Sequence, residues 1–135
     1  MTHDQELNVS RWVAALRDPN RKQAQGRLRK GDGMCCLGVL CDIEDPNEWV
    51  GEGGTWRWDV WGSAPPSSLT AEKCGLMFRD GSFNSPFNEV TLAVMKRIGE
   101  RADEIDSCLT KLNDSGATFA EIADIIESRP PGLFT

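Results

Sequence analysis

Residues 31–42 read GDGMCCLGVLCD and join a basic stretch to the longest uncharged apolar run of the chain. That run extends from Met34 to Leu40, and the segment holds three of the five cysteines. Glycines that precede an apolar run are typical of a turn leading into a buried element. The segment therefore predicts a buried helix that begins after Gly33.

An amphipathic helix is predicted upstream of this segment. Four apolar residues recur there with the spacing of one helical face: Val9, Trp12, Val13 and Leu16. Asn8 or Ser10 would cap the start of this helix, and residues 18–20, Asp-Pro-Asn, would end it. The polar and basic stretch that follows, up to Lys30, predicts a loop or a frayed helix.

The middle of the chain carries β signals. Residues 55–61 alternate as in a strand, with Trp56, Trp58 and Val60 on one face and Arg57, Asp59 and Trp61 on the other. If the first face packs on the helices, Trp61 is the more exposed tryptophan. The Asp80-Gly81 pair is a hairpin-turn signal, and it predicts pairing between residues 76–78 and 82–83.

The last third of the chain is predicted to be helical. One apolar stripe has the spacing of a helix face: Ile105, Cys108, Leu109 and Leu112. Thr118 and Glu121 match a capping box, in which each side chain bonds the other residue's backbone N–H. The helix they open would bury Phe119, Ile122, Ala123 and Ile126. Residues 1–135 are thus predicted to form one α+β domain, with helices at both ends and a small antiparallel sheet or hairpin in the middle.

Composition is that of a soluble globular protein, with 39% hydrophobic and 27% charged residues. The apolar run at residues 34–40 is far shorter than the roughly 20 residues that a membrane helix needs. The N-terminus lacks the basic start and apolar centre of a secretory signal. We therefore expect a cytoplasmic protein whose cysteines remain thiols.

Charge is distributed unevenly along the chain. Residues 1–30 carry seven basic and three acidic side chains, whereas residues 31–135 carry eight basic and eighteen acidic ones. A net charge of −6 argues against broad nucleic-acid binding, which depends on many Lys and Arg contacts to phosphates. The basic cluster before residue 31 can hold one anionic group or an acidic partner surface, or it can simply be solvated.

Metal and nucleophile patterns are weak. Zinc sites need paired ligands at short spacing, but the other cysteines, Cys74 and Cys108, are isolated and the single histidine is His3. Cys35 near a helix start is predicted to have a lowered pKa, since the helix dipole favours a thiolate. Without a nearby base this predicts at most a reactive thiol. No catalytic residue, metal site or cofactor is assigned.

The stronger candidate for ligand binding is the turn ahead of the predicted buried helix. Backbone N–H groups of Gly31 and Gly33 at a helix start can cradle a phosphate, with charge-assisted contacts from three cations: Arg27, Arg29 and Lys30. Asp32 opposes an anion there, and a plain tight turn is the alternative. Trp61 would add a stacking or interface contact.

Two segments together resemble a known group of proteins. They are CCLGVLCD at residues 35–42 and LNDSGATFAEIADII at residues 112–126. The pair resembles a family of small, mostly uncharacterised proteins encoded by bacteriophages and prophages. This resemblance implies an accessory protein made inside a bacterial host, which acts by blocking a host protein, such as a defence protein, or by sequestering a nucleotide signal.

The leading functional hypothesis is a non-enzymatic binding protein that modulates a host protein. Sequestration of a small nucleotide-like anion at residues 31–33 is the alternative, and a small enzyme of unknown reaction is the third. The candidate ligand-binding residues are Arg27, Arg29, Lys30, Gly31, Gly33 and Trp61. Self-association stays open.

Overall fold

A computed structural model describes residues 1–44, 46, 49–52, 55–58, 68–84, 88–99 and 108–135. Within these ranges the helices are α1 (His3–Leu16), α2 (Cys36–Glu44), α3 (Ser68–Lys73), α4 (Glu89–Ile98), α5 (Leu109–Asp114) and α6 (Phe119–Ser128). The strands are β1 (Lys22–Gln23), β2 (Arg29–Lys30), β3 (Gly33–Met34), β4 (Trp49–Glu52) and β5 (Thr55–Trp58). Helices at both ends and a small central sheet confirm the α+β prediction.

The sheet has the strand order β1-β3-β2-β5-β4 among the described residues. β2 pairs antiparallel with both β3 and β5, and β4 pairs antiparallel with β5. β1 lies parallel to β3, with Lys22 opposite Gly33, so the sheet is mixed rather than purely antiparallel. The loop predicted between residues 20 and 30 is confirmed at residues 24–28, but the two short strands on either side of it were missed, because strands of two polar residues have no alternating apolar pattern to detect.

Helix α1 packs through the predicted apolar stripe, all four members of which are buried: Val9, Trp12, Val13 and Leu16. The Trp12 indole Nε1 also donates to the Cys36 carbonyl at 2.9 Å, which joins α1 to the start of α2. The helix begins earlier than predicted. Its cap is Thr2, in a capping box with Gln5, whereas Asn8 and Ser10 lie within the helix.

The C-terminal helices differ from the prediction in one boundary. Cys108 has extended backbone angles and caps α5, its Sγ accepting from the Lys111 N–H at 3.3 Å, so the helix begins only at Leu109. Ile105, which was predicted to share the stripe, lies outside the described residues. The capping box at the start of α6 is confirmed, and the predicted apolar face of that helix is buried together with Ile125.

The predicted hairpin around Asp80 and Gly81 is wrong. Gly81 does form a turn with φ +75°, but Leu76 bridges Phe134 and Ser82 bridges Cys108 instead of pairing with each other's segment. A turn signal specifies where the chain reverses, whereas distant segments that pack on the same core supply the pairing partners.

Strand β5 confirms the strand predicted from the alternation at residues 55–61 over its first four positions. The prediction that Trp56, Trp58 and Val60 share one face has no outcome, because the Trp56 and Trp58 side chains, like residues Val60 and Trp61, lie outside the described part of the chain. None of the helices in the described ranges has the length and apolar character needed to cross a membrane.

Candidate functional site

Residues 27–33, which we call the basic hairpin, contain most of the predicted ligand-binding residues. Strands β2 and β3 pair with Lys30 opposite Gly33, which leaves Gly31 and Asp32 as a two-residue turn. Gly31 has φ +60°, a conformation that favours glycine at this position of a tight hairpin. The tight-turn interpretation of these glycines is therefore confirmed, and the helix starts three residues beyond Gly33.

Gly33 serves the packing of the sheet. It is buried, and a Cβ added there would lie 3.1 Å from the Ala24 Cβ and 3.4 Å from the Gln23 carbonyl oxygen. The absence of a side chain lets β3 lie close against the segment that contains β1. Gly33 thus has a packing role within the sheet, and the ligand contact predicted for it stays a prediction.

Arg29 is held in place by its neighbours on the hairpin. Its Nε donates to the Gly31 carbonyl at 2.9 Å, and its guanidinium lies 5.5 Å from the centre of the Trp49 ring. The Trp49 Nε1 in turn donates to Asp42 at 3.0 Å. These contacts orient Arg29 and stiffen the hairpin against β4, as cation–π pairs do.

Arg27 and Lys30 are the exposed cations of the basic hairpin. Neither forms an ion pair or a side-chain hydrogen bond within the described part of the chain. Lys22 is also exposed, and its only carboxylate contact there, with Asp32, is a loose one at 4.0 Å. The structure therefore brings Arg27 and Lys30 to solvent with their charges unmatched, whereas Trp61 is outside the described residues.

The start of α2 is closed to an anion. The N–H of Cys35 donates to the Leu28 carbonyl at 3.1 Å, and the N–H of Cys36 donates to Asn113 Oδ1 at 3.2 Å. Gly38 N–H faces the Cys35 sulfur at 3.4 Å, and residues 33–41 are all buried. A phosphate cradle requires free N–H groups that face solvent, and here they bond to the protein itself.

Asn113 joins three parts of the fold from a position that is fully buried. Its Oδ1 accepts from Cys36 N and from Gln23 Nε2, the latter at 2.8 Å. Its Nδ2 donates to the Ala24 carbonyl at 2.8 Å and contacts Asp114 Oδ1 at 3.2 Å. One amide thus caps α2 and fastens the segment before the basic hairpin to α5.

The two segments quoted for the phage-type resemblance therefore contact each other. The Cys36 N–H of the first segment donates to Asn113 Oδ1 of the second at 3.2 Å, and the Cys36 thiol faces the carbonyl of Leu109, just before the second segment, at 3.7 Å. Gly38 lies against the chain just before β2, since a Cβ on it would lie 1.8 Å from the Leu28 carbonyl oxygen. Packing thus accounts for Cys36, Gly38 and Asn113 in these segments.

The model of the family described as a domain of unknown function (DUF8296) matches residues 4–130. The chain belongs to that family. No curated protein and no solved structure matches the chain.

Sequence reasoning missed the structural roles of two residues in this DUF8296 chain. No contact was predicted for Asn113, because nothing in one sequence shows which distant N–H groups an amide will meet. Gly38 carried a usable signal: an isolated glycine inside an apolar helix indicates close packing by another segment. The quoted segments contain both residues, but neither is exposed.

The five cysteines of the DUF8296 chain are all buried free thiols. The prediction of a lowered pKa for Cys35 is wrong: desolvation by burial raises its pKa to about 11, despite backbone N–H groups that favour the thiolate. Burial likewise raises the pKa of Cys36 and Cys41. The backbone N–H groups of Gly38 and Leu37 lower the pKa of Cys35, but loss of hydration is the larger effect.

This burial predicts the labelling behaviour of the thiols. At pH 8 a thiol with the pKa of Cys35, about 11, is ionised in only about one molecule in a thousand. We expect iodoacetamide to leave the native protein unlabelled over minutes and to modify all five cysteines in denaturant, as read by intact mass. Rapid native labelling of Cys35 would contradict the burial.

The described residues contain no group of three or more His, Cys, Asp or Glu side chains arranged to hold a metal ion. His3 lies exposed in the first turn of α1, whereas the thiols are in the core. What the described surface does present is a pair of unmatched cations on a hairpin that is hydrogen-bonded on both sides.

Proposed function

We propose that this protein acts by binding another protein, and that the basic hairpin contacts an acidic patch on that partner. The observation that carries the proposal is the exposure of Arg27 and Lys30 without a matching carboxylate among the described residues. A protein with a net charge of −6 gains attraction to an acidic partner only where its cations are concentrated.

The hairpin is well suited to such a contact because it is rigid. β2 lies between β3 and β5, so its main chain bonds to a strand on each side. The stacking of Arg29 on Trp49 adds support from β4, which lies on the far side of β5. Because the main chain of this element is already ordered, binding through its cations costs little backbone conformational entropy.

Beside Arg27, the available space favours a protein surface over an enclosed small ligand. The cavity beside Arg27 measures about 70 Å³, whereas pockets for drug-sized ligands begin near 300 Å³. Trp49, the tryptophan nearest the cations, is only 8% exposed, and its indole N–H is bonded to Asp42. It is therefore not free to stack on a nucleotide base.

The resemblance to phage and prophage proteins suggests that the partner is a protein of a bacterial host, met in the cytoplasm. Binding would then modulate that host protein, for example by masking an acidic surface. Binding of this kind requires no reaction, metal or cofactor.

A charge-reversal pair tests the proposal. Arg27→Glu combined with Lys30→Glu should reduce affinity for the partner by about tenfold or more, because rim charges set encounter rate and pairing. The measurement is recovery of host proteins on immobilised protein, followed by binding constants for each purified candidate at low and high salt. Screening predicts weaker binding at high salt.

Lys96→Glu combined with Arg79→Glu is the matched control, because both are exposed cations outside the hairpin. We expect the control to bind like wild type. Equal loss in both pairs, or no loss in either, would contradict the proposal. A melting-temperature rise with a mononucleotide or cyclic nucleotide that the hairpin pair abolishes would favour nucleotide sequestration instead.

A further inference from the structure

A second concave site lies where helices α1, α2 and α3 meet, away from the basic hairpin. It is a cavity of about 230 Å³. The residues that line it are Asn8, Arg11, Leu40, Ile43, Glu44, Lys73 and Cys74. The volume lies below the ~300 Å³ at which pockets for drug-sized ligands begin, so its occupant is a smaller molecule.

The floor of this cavity is apolar and uncharged. Leu40 is 2% exposed and Cys74 is 1% exposed, and Ile43 packs against the core beside them. Burial raises the pKa of the Cys74 thiol to about 12, with a smaller contribution from Glu44. Cys74 is therefore a neutral thiol that contributes a small hydrophobic surface rather than an anion.

Most polar groups in the wall of the cavity are bonded to one another. Lys73 Nζ pairs with Glu44 Oε1 at 2.5 Å, and Asn8 Nδ2 donates to the Lys73 carbonyl at 2.7 Å. Arg11 follows Asn8 by three positions on α1, which places both on one face of the helix. Arg11 has no carboxylate or hydrogen-bond partner within the described ranges.

We infer that this cavity binds a small monocarboxylic acid with a short apolar tail. The carboxylate would accept hydrogen bonds from the Arg11 guanidinium, a geometry that suits two parallel N–H···O contacts. The tail would lie on Leu40, Ile43 and Cys74. Because Glu44 is paired with Lys73, the wall carries one net positive charge, that of Arg11, which matches a monoanion better than a dianion such as phosphate.

The site is independent of the proposed protein contact, since it shares no residue with the basic hairpin. Either one can fail without the other. Hexanoate is the probe, and 1-hexanol is the matched neutral compound with the same number of carbon atoms. Binding is followed by NMR of the Leu40 and Ile43 methyl groups during titration of the full-length protein.

Hexanoate is expected to shift both methyl signals with saturation, and 1-hexanol to bind about tenfold more weakly, because it lacks the charged contact. Arg11→Gln should reduce hexanoate affinity by about tenfold, to the level of the alcohol, while leaving the fold intact, since Arg11 is exposed. Lys96→Gln, a substitution of an exposed cation on α4, should leave hexanoate affinity unchanged.

Two results would overturn the inference. One is the absence of saturable shifts at Leu40 and Ile43 up to the solubility limit of hexanoate. The other is hexanoate binding that is as tight in Arg11→Gln as in wild type, or no tighter than the binding of 1-hexanol. Either outcome would mean that the carboxylate is not recognised.

Discussion

Gly38→Ala is expected to abolish stable folding or to cost more than about 4 kcal/mol of unfolding free energy, beyond ordinary overpacking. The added Cβ would lie 1.8 Å from the Leu28 carbonyl oxygen and 2.8 Å from its carbon. These are backbone atoms, so no side-chain rotation can relieve the clash. The same carbonyl accepts the Cys35 N–H at 3.1 Å, so moving it also breaks a buried hydrogen bond.

The loss would be measured by urea unfolding followed by circular dichroism. Total stabilities of about 5–15 kcal/mol are usual, so such a loss leaves little folded protein. The matched control is Gly99→Ala at the end of α4, where a Cβ meets nothing within 4 Å but φ is +80°. The control should cost only about 1 kcal/mol. Equal urea midpoints for the Gly38 and Gly99 variants would contradict the close approach of Gly38 to the Leu28 carbonyl.

Asn113→Ala is expected to cost about 4 kcal/mol, because each buried polar group left without a partner costs about 1–3 kcal/mol. The variant strands the buried Cys36 N–H and the half-buried Ala24 carbonyl, and it removes one bond of the exposed Gln23 amide; all three groups bond to the Asn113 side chain. Water cannot readily replace the amide at a site that is 0% exposed. Gln23 keeps one bond, to the Ala117 carbonyl.

The same urea measurement tests this expectation, with Asn20→Ala as the control. Asn20 is exposed, and its substitution should change stability by less than about 0.5 kcal/mol. The Asn113 variant should also speed amide hydrogen exchange of residues 22–26, which the side chain holds against α5. A cost no larger than that of the Asn20 variant would show that the network contributes little.

These two residues also mark the limit of sequence-based prediction for this chain. The stripe of α1 and the capping box of α6 were predicted because each depends on residues within a few positions of one another. The hairpin predicted around residues 80–81 was wrong because its strand pairing depends on residues far apart in the sequence. Its turn is local, but Leu76 pairs with Phe134 and Ser82 with Cys108, across large separations in sequence.

The candidate site divides in the same way. The basic character of residues 27–30 and the turn at Gly31 were evident from the sequence, because charge and glycine conformation are properties of the residues themselves. Which cations stay exposed was not evident. Arg29 stacks on Trp49, whereas Arg27 and Lys30 face solvent, and only the pairing of β2 with β5 and of β5 with β4 decides this.

The amino-acid sequence alone thus determined the α+β class, the buried faces of the terminal helices and the uneven charge, because periodicity, caps and composition act over short distances. The sequence also indicated the turn at residues 31–33 and the buried helix after it, but tertiary structure alone decided that the N–H groups at the start of this helix are already bonded. The physical reason is that Leu28 and Asn113 supply those acceptors, and no local pattern brings Asn113 to Cys36.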